Sequence, residues 1–166
     1  MFTNLLFPII ALFAGIVVLI SLGRGPIFLP TEKKDAAAMI EILGVKDGDV
    51  AADLGSGDGR LVIALALAGA VAHGFEHNPF LVWWSRYKIR KAGLSGRVFI
   101  HRTNFWNEDF SKFTILTVFG IGYIMKPLQE KIRKEGRSGL RVASYTFQFP
   151  DLEPKERKNG IYLYEL

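Results

Sequence analysis

The chain has 166 residues, 49% of them hydrophobic, which allows one domain with a real core plus a short appendage. It contains no cysteine, which excludes disulfides, thiolate metal sites and thiol nucleophiles; His73, His77 and His101 show no ligand spacing, so no metal is expected. Every charged side chain lies at or after Arg24, so the net charge of +5 belongs to the part beyond the N-terminal segment and suits anionic lipid, acidic protein or nucleic acid alike.

Residues 5–23 carry no charge, and nineteen or so such positions give roughly 28 Å of helix, enough for a membrane span. A cleaved signal peptide would need a basic start and a small-residue cleavage site, and neither is clear. Cations follow the run at Arg24, Lys33 and Lys34 and none precedes it, so the rule that positive flanks stay inside predicts a single-pass anchor with the domain on the cytoplasmic side of the membrane. Pro26 and Pro30 make the next stretch a linker. The expected division is therefore an anchor over 1–24 and a domain over 25–166.

Thr31 can cap a helix that runs to Leu43, with Ala36, Ala37, Met39, Ile40 and Leu43 on its inner side and Gly44 ending it. The apolar run Val50-Ala51-Ala52 then leads into Asp53-Leu54-Gly55-Ser56-Gly57-Asp58-Gly59-Arg60, and a second apolar run follows to about Ala68. This reads as strand, glycine loop and helix start, where backbone N–H groups and the helix N-terminus approach a ligand. A dinucleotide fingerprint would read G-x-G-x-x-G. Here the spacing is G-x-G-x-G, and Asp53 and Asp58 would repel a pyrophosphate but suit a ligand with positive charge. S-adenosyl-L-methionine, with its ammonium and sulfonium, is such a ligand. The loop resembles motif I of the class I, Rossmann-like methyltransferases, in which the leading acid lies near the methionine end of the cofactor.

A second strand over 71–75 ends at Glu76, about twenty residues past the glycines, where an acid accepts hydrogen bonds from ribose hydroxyls. Asn78 and Pro79 suit the cap and first position of a helix over 79–91. That helix carries Phe80, Leu81, Val82, Trp83, Trp84 and Tyr87 on a broad arc with Arg86, Lys88, Arg90 and Lys91 elsewhere. Membrane or nucleic-acid contact is one reading of it. The expectation adopted is that the aromatics pack against a sheet and the cations form a solvated face. Strands follow over 97–101, 114–119, 139–147 and 161–166, with a helix over 123–134 between the second and third of these. The last connection is a polar loop too short for a helical crossover, so the final pair should be antiparallel. The predicted fold is α/β, a Rossmann-like doubly wound and mostly parallel sheet with a short antiparallel C-terminal strand pair, preceded by an N-terminal transmembrane helix.

From Phe28 to the C-terminus the chain resembles a narrower family, the small membrane-associated protein-lysine methyltransferases that include the enzyme acting on the c-subunit of mitochondrial ATP synthase. The resemblance rests on Phe28-Leu29-Pro30-Thr31, the glycine loop, Glu76-His77-Asn78-Pro79-Phe80-Leu81-Val82-Trp83-Trp84-Ser85-Arg86, Asn104-Phe105-Trp106 and Val118-Phe119-Gly120. It implies that S-adenosyl-L-methionine contacts Thr31, Asp53, Gly55, Ser56, Gly57, Glu76 and Asn104. Asn104 replaces the family's aspartate beside the adenine, and its amide oxygen still accepts a hydrogen bond. Thr146 and Gln148 replace an expected Arg and Pro, and Gly122-Tyr123 also departs from the pattern. The departures lie near the substrate entrance.

The resemblance further implies a lysine acceptor in a membrane-associated protein, with the bilayer itself as a partner. Tyr123, Phe147 and Trp106 are the candidates for a pocket wall that favours the neutral amine; no catalytic residue is otherwise assigned. Enzymes that methylate exocyclic base amines carry an Asn/Asp-Pro-Pro-aromatic stretch where this chain has Phe119-Gly120-Ile121-Gly122-Tyr123, which disfavours nucleic acid. A bilayer-associated small molecule or RNA as acceptor, or a tethered module that binds the cofactor without using it, remain the alternatives.

Overall fold

The computed structural model describes residues 33–120 and 122–166, together with Pro8 and Gly15 taken singly. The expected span over 5–23 and the cap at Thr31 lie outside the described residues, those two positions apart. Among the described residues no helix is long and apolar enough to cross a membrane.

Helix α1 (Lys33–Leu43) opens the domain and stops where Gly44 turns to a φ of 55°. Its inner side is Ala36, Met39, Ile42 and Leu43; Ala37, expected inside, is exposed. Strand β1 (Val50–Leu54), helix α2 (Arg60–Leu67), strand β2 (Val71–Glu76), helix α3 (Pro79–Lys91) and strand β3 (Val98–Arg102) follow in alternation. Two short 3₁₀ turns, Phe105–Asn107 and Phe110–Lys112, lead to β4 (Ile115–Val118), helix α4 (Gly122–Glu135) and β5 (Arg141–Tyr145). A hairpin of β6 (Glu156–Lys158) and β7 (Ile161–Glu165) completes the chain.

The sheet has the order β3-β2-β1-β4-β5-β7-β6, with β1 to β5 parallel and β7 antiparallel to both β5 and β6. Its central strands β1 and β4 are largely apolar because both faces are covered, with Asp53 of β1 and Thr117 of β4 the polar exceptions. One face packs Leu61, Val62, Leu65, Val82 and Ile89 of α2 and α3 together with α1. The other packs Phe110 of the second 3₁₀ turn, Phe113 just after it, and Leu128 and Ile132 of α4. His73 and His101 lie 3.0 Å apart between ring nitrogens and stack among Phe75 and Phe99, as packing residues.

Two expectations are corrected. The loop after β5 contains a strand, β6, held by pairing Glu156 with Leu163 and Lys158 with Ile161. The aromatic arc of α3 does not pack on the sheet: Val82, Ser85 and Ile89 face inward, whereas Phe80, Trp83, Trp84 and Tyr87 are exposed. The start of α3 is as read from the sequence, with Asn78 accepting from the N–H groups of Phe80 at 2.9 Å and Leu81 at 3.4 Å ahead of Pro79.

Candidate cofactor and acceptor site

The order of strands reverses beside β1: β2 and β3 extend the sheet one way, β4 and β5 the other. The loops leaving the C-terminal ends of β1, β2 and β4 therefore diverge and leave a crevice, the usual ligand position in an open α/β sheet. The loop after β1 fills one wall. The N–H groups of Gly55 and Ser56 both donate to the carbonyl of Phe75 at 3.0 Å, which ties the loop to the end of β2. Gly55 and Gly57 have φ of 98° and 52°, in the left-handed region that glycine enters without strain. A Cβ on Gly55 would meet no atom within 4 Å, so this stretch of backbone faces open space.

Glu76 stands at the end of β2 and grips the loop. Its Oε2 accepts from Gly57 N–H at 2.9 Å and its Oε1 from Asn78 N–H at 2.7 Å, leaving each oxygen a further lone pair. Asp53 is buried at the end of β1, where its register partner in β4, Thr117, donates a 2.8 Å hydrogen bond to it. Burial pushes the Asp53 carboxyl up to about 7; the Thr117 bond opposes this, and the charges of Glu76 and Asp58 add to it.

Asp58 plays a different part from the one its position implied. Burial would raise its carboxyl, but hydrogen bonds from Arg60 at 2.9 Å and Lys88 at 3.0 Å hold it below the ordinary value. Asp58 is thus ion-paired to Arg60 at the start of α2 and to Lys88 of α3, and it ties the glycine loop to both helices. Ser56 turns its hydroxyl inward over β2, where it is buried without a hydrogen-bond partner. A Cβ on Gly74 would lie only 2.6 Å from that oxygen, so Gly74 makes room for it.

Asn104 is exposed beyond β3 and its Oδ1 accepts from Trp106 N–H at 3.2 Å, capping the first 3₁₀ turn; the amide N–H₂ and a second lone pair remain. Trp106 is half-buried with its ring 4.9 Å from that of Phe105. Tyr123 is exposed on the first turn of α4, and Phe147 lies against the same turn, with Cε1 4.0 Å from where a Gly122 Cβ would stand. Tyr123 and Phe147 are thus brought to one place after β4 and β5, while Trp106 belongs to the turn after β3. Thr31 lies outside the described residues.

Two contributors, Thr117 and Lys88, were missed in the sequence, and Thr146, singled out there as a departure near the substrate entrance, has an unusual backbone. Thr117 is a lone hydroxyl in an apolar strand, which was a readable signal. Lys88 gave none, being one cation among several on α3. Thr146 adopts a φ of 72°, rare for a β-branched residue, with its N–H donating to Gly160 at 2.8 Å.

The strand order, the open glycine loop and the acid closing β2 define a class I methyltransferase domain, whose cofactor is S-adenosyl-L-methionine. The residues present fit that group: Gly55 offers bare backbone, Glu76 offers carboxylate lone pairs for a diol, and buried Asp53 offers a counter-charge for a cation. Residues 53–156 match the family described as the ANTKMT methyltransferase domain, and the chain belongs to that family. It is 36% identical over 127 residues to the ATP synthase c-subunit lysine N-methyltransferase of mouse (Mus musculus), covering 76% of this chain and 51% of that protein. The chain thus spans about half the length of that relative. It is also 36% identical over 147 residues to a protein-lysine N-methyltransferase of Saccharolobus islandicus, covering 82% and 91% of the two chains. Among solved structures, an RNA methyltransferase from Salinibacter ruber in complex with S-adenosyl-L-homocysteine superposes with a TM-score of 0.79 at 29% identity, over 82% of this chain and 93% of that one.

Proposed function

We propose that the chain is a protein-lysine N-methyltransferase whose acceptor is a membrane-embedded or membrane-proximal protein. The observation that carries the chemistry is the open backbone at Gly55 with Glu76 bonded to Gly57 beside it. When bound there, S-adenosyl-L-methionine supplies an activated methyl group for in-line displacement. Glu76 would hold the ribose hydroxyls, the N–H groups and bare backbone of the glycine loop would meet the cofactor, and Asn104 would meet the adenine. The lysine must arrive neutral, since an ammonium has no lone pair, and Tyr123 and Phe147, brought together at the start of α4, are the candidate wall of the pocket that receives it. The proton lost from nitrogen leaves to water, so the domain needs to align and desolvate rather than to supply a strong base.

The similarity to the mouse and Saccharolobus lysine methyltransferases supports the acceptor class. The charge-free run over 5–23, with cations only after it, supports an anchor that raises the concentration of the domain near targets in the same bilayer. A second reading, RNA as acceptor, is favoured by the Salinibacter structure alone. The test is to incubate membranes from a deletion strain with purified enzyme and labelled cofactor and to locate the label by mass spectrometry. Label on a lysine side chain of a membrane protein is the expected result. Label confined to lipid or RNA rejects the lysine acceptor, and no transfer at all rejects the enzyme.

A further inference from the structure

On α3, Phe80, Trp83, Trp84 and Tyr87 recur at helical spacing and remain 64%, 59%, 39% and 47% exposed. Their rings form one continuous surface, with centroids 6.1 Å apart for Phe80 and Trp83, 6.2 Å for Trp83 and Trp84 and 5.5 Å for Trp84 and Tyr87. Four neighbouring aromatics on the solvent side of a helix are far more than the scattered apolar residues of an ordinary surface. The stripe continues at the same spacing into Arg90 and Lys91, which are exposed and form no ion pair among the described residues. No Asp or Glu lies between Glu76 and Glu108 in the sequence, so nothing acidic on this stretch offsets those cations.

We infer that this face of α3 docks on an anionic lipid surface, the aromatic rings seated at headgroup level and Arg90 and Lys91 paired with lipid phosphates. Tryptophan and tyrosine favour that zone because their rings are apolar while their N–H and O–H stay wet. Arg90 and Lys91 follow the aromatics along the helix, where exposed cations meet the negative surface potential of an anionic leaflet. Docking here would hold the domain in one orientation on the bilayer. The inference does not depend on the identity of the methyl acceptor.

The full chain is reconstituted into vesicles of phosphatidylcholine and phosphatidylglycerol whose acyl chains carry shallow bromine atoms, and tryptophan emission is read. The expected result is a blue shift with quenching, most of which disappears in the Trp83→Phe/Trp84→Phe variant. In Arg90→Glu/Lys91→Glu, or in vesicles of phosphatidylcholine alone, docking falls by about fivefold or more for each cation that no longer pairs with lipid. Cofactor affinity measured on the same samples reports that the variants are folded. Equal emission from brominated and ordinary vesicles would overturn the inference. So would emission already blue and unquenchable, the sign of a face covered by the chain's own apolar segment or by a second copy. Quenching by a short RNA in place of lipid would overturn it as well.

Discussion

Glu76 carries two loads, since the carboxylate that faces the crevice also accepts the N–H groups of Gly57 and Asn78. Glu76→Ala should therefore weaken S-adenosyl-L-methionine binding by roughly 1.5–3 kcal/mol, about ten- to a hundredfold, by calorimetry. Glu41→Ala, which removes only an exposed ion pair with Lys158, should leave the affinity unchanged. Asp53 gives a pH signature. Its carboxyl is raised to about 7 from an unfolded value near 3.8, so the folded chain retains a proton that the unfolded chain has released. That contribution to stability is full below the unfolded value and is lost as pH rises through about 7. A cation of the cofactor beside Asp53 favours the carboxylate, so binding should release a proton and tighten from about pH 6 to 8. Calorimetry in buffers of different ionisation enthalpy measures the release, and Asp53→Asn should flatten the profile. Glu76 was legible because its distance from the glycines is fixed by one crossover. The pairing of Asp58 was not, because Lys88 reaches it from thirty positions away.

Among the elements, the alternation of strands and helices was legible because each parallel strand is an apolar run bounded by turn residues. The strand β6 was not, since Glu-Arg-Lys has no apolar alternation and forms only by pairing with β7. The orientation of α3 was hidden for another reason: aromatic residues at helical spacing look the same on an inner or an outer face. What decides it is the close approach to α2, where a Cβ on Gly59 would lie 2.8 Å from Cβ of Ser85. Only small side chains fit between those helices, so Ser85 faces in and the large rings turn out. Gly59 also has a φ of 79°. Gly59→Ala should thus be strained twice over and lower stability by about 2 kcal/mol or more, read from urea unfolding. Gly93→Ala, with a φ of 70° but nothing within 4 Å of the added Cβ, should cost about 1 kcal/mol from its backbone alone.

Across the whole molecule, Arg141 on β5 joins parts far apart in sequence. It donates to the carbonyls of Leu43 and Gly44 at the end of α1, and it bonds Asp49 at 2.5 Å. Asp49 in turn accepts from Lys46 N–H and from Thr114, closing a junction between α1, β1, β4 and β5. Burial would raise the Asp49 carboxyl, yet these donors hold it below its ordinary value. Arg141→Met would leave Asp49 buried without its counter-charge, held only by Lys46 N–H and Thr114, and should lower stability by about 3 kcal/mol and the melting temperature by several degrees. No spacing rule announces such a junction, whereas the mixed sheet and its crevice followed from the order of elements alone. The central claim is that this crevice serves a lysine of a membrane protein. Its most direct test is mass spectrometry of the membrane proteome from the source organism with and without the gene. A methylated lysine on at least one membrane protein should lose its methyl groups in the deletion strain and regain them with the wild-type chain but not with Glu76→Ala. Identical lysine methylation in all of these strains would contradict it.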